Sequence, residues 1–394
     1  MRNLIIIIDG VGYDQLASLQ PPGLMSLGRR TGIAPVQTLL SFSSGIYCSI
    51  WSGLYPEEHG VWTEFYRPSD KGARGASVYR PIPGKYLPRV LSFVFRTGLS
   101  RLGWKGQDHL AIPPGLQSCF RRTGSDYRLF PPVRIDPPPD FSLRLETGKC
   151  SWEYVYCDPM DRQTGSILLQ AAERAETLIV CFPELDHAGH LFGPTSEAFK
   201  KTFLEFDRCL VEVIRSLEVG KPEFSLFIFS DHGMTRILRS FDIWSYLERA
   251  GFRLGRDYLA FINSTIVPFW FDHGHRQEIV DSLNLSGAGH VLTEYERALH
   301  HLRFPGDKFG EDFFLTDEGV ECVPNFINLA QKKGRGMHGY DPRLSSTRAF
   351  FIGGEQIATK PRDIIDIHKV LEEVMLPRTD RPQAVGKEEP HVEP

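Results

Sequence analysis

Acidic and imidazole side chains recur just beyond the apolar runs of this 394-residue chain. Asp9 follows Leu4-Ile5-Ile6-Ile7-Ile8, Asp186 and His190 follow Thr177–Phe182, and Asp231 and His232 follow Ser225–Phe229. A further histidine, His338, sits in Gly336-Met337-His338-Gly339-Tyr340. Imidazole nitrogens mixed with carboxylate oxygens suit Zn2+ or Mn2+, and the lack of cysteine in the set points away from a structural thiolate zinc. Asp186 and His190 are spaced to share one face if their turn is helical. One Asp–His pair is commonly a surface or core pair; several at strand ends together point to a metal site. The other chemical feature is Ser41-Phe42-Ser43-Ser44, which runs into an expected helix over Ile46–Trp51 before Gly53, Pro56 and Gly60 break the chain. A serine at a helix N-terminus can simply cap orphan amides. The same place also stabilises an alkoxide and an incoming phosphate. A serine hydroxyl is a poor nucleophile at neutral pH without a base or a metal, so the two features need each other.

The elements that must position these groups are those of an α/β fold. The β-branched run at 4–8 reads as a strand buried on both faces of a parallel sheet, and Thr177–Phe182, Ser225–Phe229 and Ala349–Ile352 read as further core strands. In open α/β sheets functional groups collect beyond the carboxyl ends of strands, where Asp9 falls. Helices are expected over 14–29, 196–217, with Phe203, Phe206, Leu210 and Val213 on one face, and 362–374, with a short strand near 33–36. The expected fold is a mostly parallel central sheet with helices on both faces. Segments 1–60, 151–235 and 331–376 form its core. Segments 61–150 and 236–330 are inserted caps, and 377–394 is a flexible tail. The first insertion is marked by Pro81-Ile82-Pro83-Gly84, Pro131-Pro132 and Pro137-Pro138-Pro139, yet is too aromatic for a disordered linker. The second is expected to hold helices at 243–250 and 277–284, and strands at 265–271, 312–315 and 320–323.

Composition narrows the partners. A net charge of −4 and pI near 6.4 give no global basic footprint, and the stretch around Arg96, Arg101 and Lys105 reads as solvated surface, so nucleic acid is not an expected partner. No apolar run reaches bilayer length, so no membrane is expected either. Seven cysteines without a CxxC spacing argue against a disulfide framework. With no leader pattern before the first strand, a cytoplasmic location is expected.

Asp9-Gly10, a hydroxyl ten residues before Gly53 in SGLYPEEHG, ELDHAGH, SDHGM and GMHGY, in that order, resemble the alkaline phosphatase superfamily, and most its nucleotide pyrophosphatase/type I phosphodiesterase branch. The resemblance covers roughly 1–60, 175–235 and 334–355. It implies two divalent ions, Zn2+ favoured and Mn2+ compatible, clamping an in-line displacement at phosphorus. One ion would be held by Asp186, His190 and His338, the other by Asp9, Asp231, His232 and the nucleophile Ser43. The implied reaction is hydrolysis of a phosphodiester or pyrophosphate in a small, nucleotide-like phosphate ester, through a phospho-Ser43 intermediate. The same site could transfer its group to an alcohol, and a silent metal-binding recognition protein would keep the same fold.

Two positions depart from that pattern. Ile46 and Glu64 stand where the branch usually carries asparagines, and a carboxylate at 64 would repel a phosphate dianion unless neutralised or turned away. Either another side chain or the amide of Ser44 would then take a phosphoryl oxygen, or Glu64 serves a different chemistry. Trp62 and Tyr66 are expected to stack on a base or ring, with packing as the competing reading, and Glu64 to contact substrate. Phe271-Asp272-His273-Gly274 repeats the strand-then-Asp-His-Gly pattern but lies in the second insertion. His59 matches a structural turn, and His187 is expected to face away from the site.

Overall fold

A computed structural model describes residues 3–29, 32–68, 112–123, 151–218, 225–271, 274–328, 333–353 and 357–375. The basic stretch at 96–105, most of the proline-rich run and the segment 377–394 lie outside these residues.

A six-stranded sheet organises the molecule. Its strands are β1 (Asn3–Ile8), β2 (Ala34–Val36), β3 (Trp152–Tyr156), β4 (Thr177–Phe182), β5 (Ser225–Phe229) and β6 (Ala349–Ile352), in the spatial order β2-β6-β5-β1-β4-β3. The strands β5, β1, β4 and β3 run parallel, with Leu4 opposite both Leu178 and Leu226. Only β6 is antiparallel to its neighbours β5 and β2. The uninterrupted isoleucine run of β1 follows from cover on both faces, because alternate side chains point to opposite sides of a strand. Leu4, Ile6 and Ile8 pack under α1 (Tyr13–Leu19), α2 (Pro22–Gly28), α4 (Thr164–Arg174) and α6 (Glu197–Glu218). Ile5 and Ile7 pack against α3 (Ser43–Ser52) and α7 (Ile367–Met375).

Helix α6 shows why the layers hold. Phe199, Phe203, Phe206, Leu210, Val213 and Leu217 recur at three- and four-residue spacing and are all buried against the sheet. Each such side chain contributes roughly 1.5–3 kcal/mol by leaving water. Helix α3 has no such stripe, because every residue from Ser44 to Trp51 is buried; it is an internal helix.

The single helix expected over 14–29 is two. Gln20 closes α1 in the left-handed region at φ 46°, and Pro21 and Pro22 lack the amides needed to continue it. The Asp207 carboxylate of α6 then accepts from the amides of Gly23 and Leu24 at 2.7 and 2.8 Å, satisfying two orphan donors of α2. The last helix likewise begins as a 3₁₀ turn, Ile364–Asp366, capped by Asp363. Strand β3 and helix α4 fill part of the core where no element was expected.

The second insertion carries its own antiparallel sheet, Leu259–Ala260, Ile266–Trp270, Asp312–Thr316 and Gly289–Val291 in spatial order. Helices Ile243–Arg249 and Arg276–Asn284 cover it. Ile266, Phe309, Phe313 and Leu315 of this sheet region pack with Leu40 and Trp62, so the insertion is anchored on both sides of the Ser43 turn. Among the described residues, no helix is long and apolar enough to cross a membrane.

Candidate metal centre and active site

Each candidate ligand sits just past a strand or within a helix that follows one. Asp9 ends β1, and the next residue, Gly10 (φ 73°), donates its amide to Asp231 Oδ1 at 3.2 Å. A Cβ on Gly10 would lie 2.6 Å from Asp186 Cβ and 2.7 Å from its Cα, so only glycine lets the β1 turn approach α5 (Glu184–Phe192) this closely. Asp186 and His190 occupy successive turns of α5, as their spacing required. Asp231 and His232 follow β5, and Thr38 Oγ1 donates to the Asp231 carbonyl at 2.7 Å. His338 follows the short strand Gly336–Met337, which pairs with Thr235–Arg236 directly after the Asp231 loop. Ser43 is the first residue of α3, which begins three residues earlier than the expected helix.

These side chains converge. Ligand atoms of Asp9, Asp231 and His232 lie within 4.8 Å of one another, as do those of Asp186, His232 and His338. His232 Nε2 lies 3.2 Å from Asp231 Oδ2, 3.6 Å from Asp9 Oδ1 and 3.2 Å from Ser43 Oγ. On the other side Asp186 Oδ1 is 3.3 Å from His190 Nε2 and 3.9 Å from His338 Nε2. The rings of His232 and His338 stack at 3.8 Å, which joins the two groups.

The hydrogen bonds fix which nitrogens are available. His232 Nδ1 faces the Gly233 carbonyl at 3.0 Å and His190 Nδ1 faces the Gly336 carbonyl at 2.9 Å. A carbonyl only accepts, so each Nδ1 carries a proton, and in the neutral ring each Nε2 presents its lone pair toward the carboxylates. Carbonyl-anchored imidazoles of this kind are what metal ligation requires. Meanwhile Asp9 Oδ1, Asp231 Oδ2 and Asp186 Oδ1 are buried without a hydrogen-bond partner. Buried carboxylate oxygens facing imidazole lone pairs cost several kcal/mol unless a cation lies between them. The donor set therefore fits a pair of divalent cations.

The electrostatics agree. Burial, then the neighbouring Asp231 and Asp186, holds the Asp9 carboxyl well above its ordinary range, and burial also raises Asp231. Burial pushes Asp186 the same way, but the adjacent His190 outweighs it and holds Asp186 low, and Asp186 in turn raises His190 against the burial that lowers it, so without a cation these two form an ion pair. Burial, then His232, holds His338 neutral, far below the usual imidazole range. A neutral imidazole is the ligating form.

Other expectations meet different surroundings. Trp62 is fully buried, its Nε1 donating to the Leu40 carbonyl at 2.7 Å and its ring packed among Phe304, Phe309 and Phe313. It is a core residue with no face for a substrate, a correction to the stacking expectation. Its backbone still matters, because the Trp62 carbonyl accepts from Ser41 Oγ at 2.5 Å beside Gly45. Tyr66 is half-buried under the Lys308 ammonium, 4.9 Å from the ring centre. Glu64 is half-buried with Arg122 3.9 Å away, so the carboxylate has a neutralising partner. Ser44 is buried at the first turn of α3, its Oγ without a hydrogen-bond partner. His187 is exposed and turned outward, as expected. Asp272 and His273 lie outside the described residues.

One further serine–histidine pair is a decoy. Ser49 Oγ is 2.9 Å from His59 Nε2, but the Val61 amide donates to His59 Nδ1 at 3.2 Å. The proton of the neutral ring is then on Nε2, which donates to Ser49 and cannot take its proton. Burial lowers His59 to about 3, keeping it neutral. The pair is structural.

Sequence reasoning missed the supports: Thr38, the carbonyls of Gly233 and Gly336, and Phe42, whose ring meets His338 edge-on at 5.7 Å. Carbonyls carry no side-chain signal, and Thr38 and Phe42 read as ordinary polar and core residues.

Several known proteins are similar. An uncharacterised pyrophosphatase/phosphodiesterase of Schizosaccharomyces pombe is 22% identical over 249 residues, 61% of this chain and 46% of that protein. The alkaline phosphatase PhoV of Synechococcus elongatus is 36% identical over 62 residues, 15% of this chain and 11% of that protein. The chain thus spans less than half the length of these curated relatives. Murine ectonucleotide pyrophosphatase/phosphodiesterase 5, solved as an inactive variant in complex with AMP, superposes with a TM-score of 0.66 at 15% identity over 95% of both chains. The human counterpart gives 0.65 at 14% identity over the same shares. These likenesses establish a shared fold. The type I phosphodiesterase/nucleotide pyrophosphatase family matches over residues 3–341, and the chain belongs to that family.

Proposed function

We propose that this protein is a two-metal hydrolase that cleaves a phosphodiester or pyrophosphate bond through a covalent phospho-Ser43 intermediate. The observation that carries this reading is Ser43 Oγ, at the first residue of a buried helix, 3.2 Å from His232 Nε2 and beside partnerless buried carboxylates. Asp9, Asp231, His232 and Ser43 would hold one ion, and Asp186, His190 and His338 the other. A donor set of imidazole and carboxylate without thiolate favours Zn2+, with Mn2+ compatible. When bound, the ions supply positive charge that lowers the hydroxyl pKa and offsets the phosphoryl charge.

Ser43 Oγ attacks phosphorus, its bond to phosphorus forms as the bond to the leaving oxygen breaks, and its proton passes to solvent. The α3 N-terminus, with the Ser44 amide, donates toward a non-bridging oxygen and contributes its dipole. Water then attacks the phospho-serine, the Oγ–phosphorus bond breaks, and Ser43 regains its proton. The similar murine fold was solved with AMP, which supports a nucleotide-like ester as substrate here. Glu64 and Tyr66 lie on the segment following the Ser43 turn and, with Arg122 and Lys308 brought against them from other segments, would meet the parts of the substrate beyond the scissile phosphorus.

Hydrolysis of bis-p-nitrophenyl phosphate and p-nitrophenyl phosphate, with zinc, with manganese and after chelation, tests this reading. Diester turnover is expected to vanish with chelator and to fall at least about a thousandfold in Ser43→Ala. Full activity in Ser43→Ala overturns the nucleophile assignment.

A further inference from the structure

Three imidazoles point into the centre, but only two are anchored by their own rings. His190 and His232 each donate Nδ1–H to a carbonyl. His338 does not, because its Nδ1 is buried without a hydrogen-bond partner. Its orientation rests on the His232 stack, the Phe42 edge contact and the path of its backbone.

The second insertion holds that backbone at three points. Thr265 is fully buried, and its hydroxyl shares one proton between the carbonyls of His338 and Gly339 at 3.1 and 2.8 Å. Gly339 has φ 81°, and a Cβ there would lie 2.7 Å from Thr265 Oγ1, so the approach is built for this contact. Thr265 is fixed in turn: its carbonyl accepts from Thr316 Oγ1 at 3.0 Å and from the Thr316 amide at 2.9 Å. Upstream, the buried Glu321 carboxylate accepts from the Gly334 amide at 2.8 Å. Downstream, the Tyr340 hydroxyl donates to the Val320 carbonyl at 3.1 Å. The gripped segment, 334–340, supplies both His338 and the Gly336 carbonyl that orients His190. Asp9 and Asp231 are held from elsewhere, by β1, by Thr38 and by the Gly10 amide.

We infer that Thr265 and Glu321 are positioning residues for one of the two metal sites, that of Asp186, His190 and His338, acting through the 334–340 segment and with a smaller effect on the Asp9 site, which that segment meets through the His232–His338 stack. The inserted sheet is then part of the metal-binding apparatus as well as cover. The inference rests on the two-metal reading proposed above.

The test is zinc binding by competition with a chromogenic chelator, on the full chain stripped of metal. Wild type is expected to take two equivalents. Thr265→Val, which keeps the shape and removes the hydroxyl, is expected to weaken one equivalent by about 10- to 100-fold, the range for removing an outer hydrogen bond from a metal ligand. Thr265→Ser should restore it, and Glu321→Leu, which removes the acceptor for the Gly334 amide, should weaken the same equivalent. Combining Thr265→Val with Asp186→Asn should add little further loss to the equivalent that remains. Unchanged affinity in soluble Thr265→Val and Glu321→Leu, or equal weakening of both equivalents without rescue by serine, overturns the inference. Should Thr265→Val fail to fold, Glu321→Leu against wild type carries the comparison, with Thr265→Ser expected to match wild type. A wild-type chain that binds no zinc refutes the two-metal reading itself, an outcome distinct from either.

Discussion

Replacing Gly10 with alanine adds one methyl group at the point where the β1 turn meets α5, and it separates two costs that can be computed in advance. The backbone there has φ 73°, a left-handed conformation that costs an L-residue roughly 1–2 kcal/mol. The new Cβ would also lie 2.6, 2.7 and 2.8 Å from Asp186 Cβ, Cα and Oδ1. Because one of those atoms is backbone, no rotation of Asp186 relieves the contact, and overpacking of this kind costs about 1–3 kcal/mol. Lower entropy of the unfolded chain offsets about 0.5 kcal/mol. The expected net loss is about 2–4 kcal/mol in urea unfolding of the metal-free protein. Gly251→Ala is the control: φ is 97° there and nothing lies within 4 Å of the added carbon, so only the backbone cost applies. Relief at position 10 must also displace the first turn of α5, so zinc affinity should fall in Gly10→Ala and not in Gly251→Ala. Equal stability of the two variants, with zinc affinity intact in both, would refute the proposed closeness of the β1 turn and Asp186.

Three other outcomes are expected. Trp62→Ala should lose about 3–5 kcal/mol of stability, because a fully buried ring and its bond to Leu40 are removed; denaturant midpoints check this, and a loss under 1 kcal/mol would return Trp62 to the substrate face. His59 has a folded pKa of about 3 against an ordinary 6.5, so the unfolded chain alone takes up a proton as pH falls between these values. Its contribution is present above pH 6.5 and shrinks on acidification, by about 2 kcal/mol between pH 7 and 5; unfolding at both values should show wild type losing that much more than His59→Gln. Chelation should lower the thermal midpoint, and zinc at a thousandfold above its dissociation constant should restore about 4 kcal/mol for each ion bound, since the buried carboxylates need the cation. A midpoint indifferent to chelator and zinc would mean that the centre folds without metal.

The amino-acid sequence by itself determined the chemistry-bearing positions and the class of fold. An apolar run such as Leu4–Ile8 is legible as a strand buried on both faces because no residue in it tolerates water. The spacing of Asp186 and His190 is legible because a helical turn repeats at that interval. Glycine and proline punctuation located the Ser43 turn and its following breaks. Pro21-Pro22 holds a signal of the same kind, yet one helix was expected across it; the break between α1 and α2 follows from the missing amides. Tertiary structure alone decided the rest. The direction of β6 against β5 is set by how the chain returns to the sheet, which no local pattern encodes. Strand Trp152–Tyr156 is an edge strand with mixed burial, so its alternation is weak, and pairing with β4 defines it. The same holds for aromatic rings: Trp62 as a substrate contact and Trp62 as core have one sequence signature and opposite surroundings. The proton positions on His190, His232 and His59 depend on carbonyl and amide groups contributed by the local backbone or by distant segments, which makes two of them suited to ligation and one inert. The convergence of Asp9, Ser43, Asp186, Asp231, His232 and His338 spans nearly the whole chain, and only the packing of β1 between β4 and β5 brings those strand ends to one place.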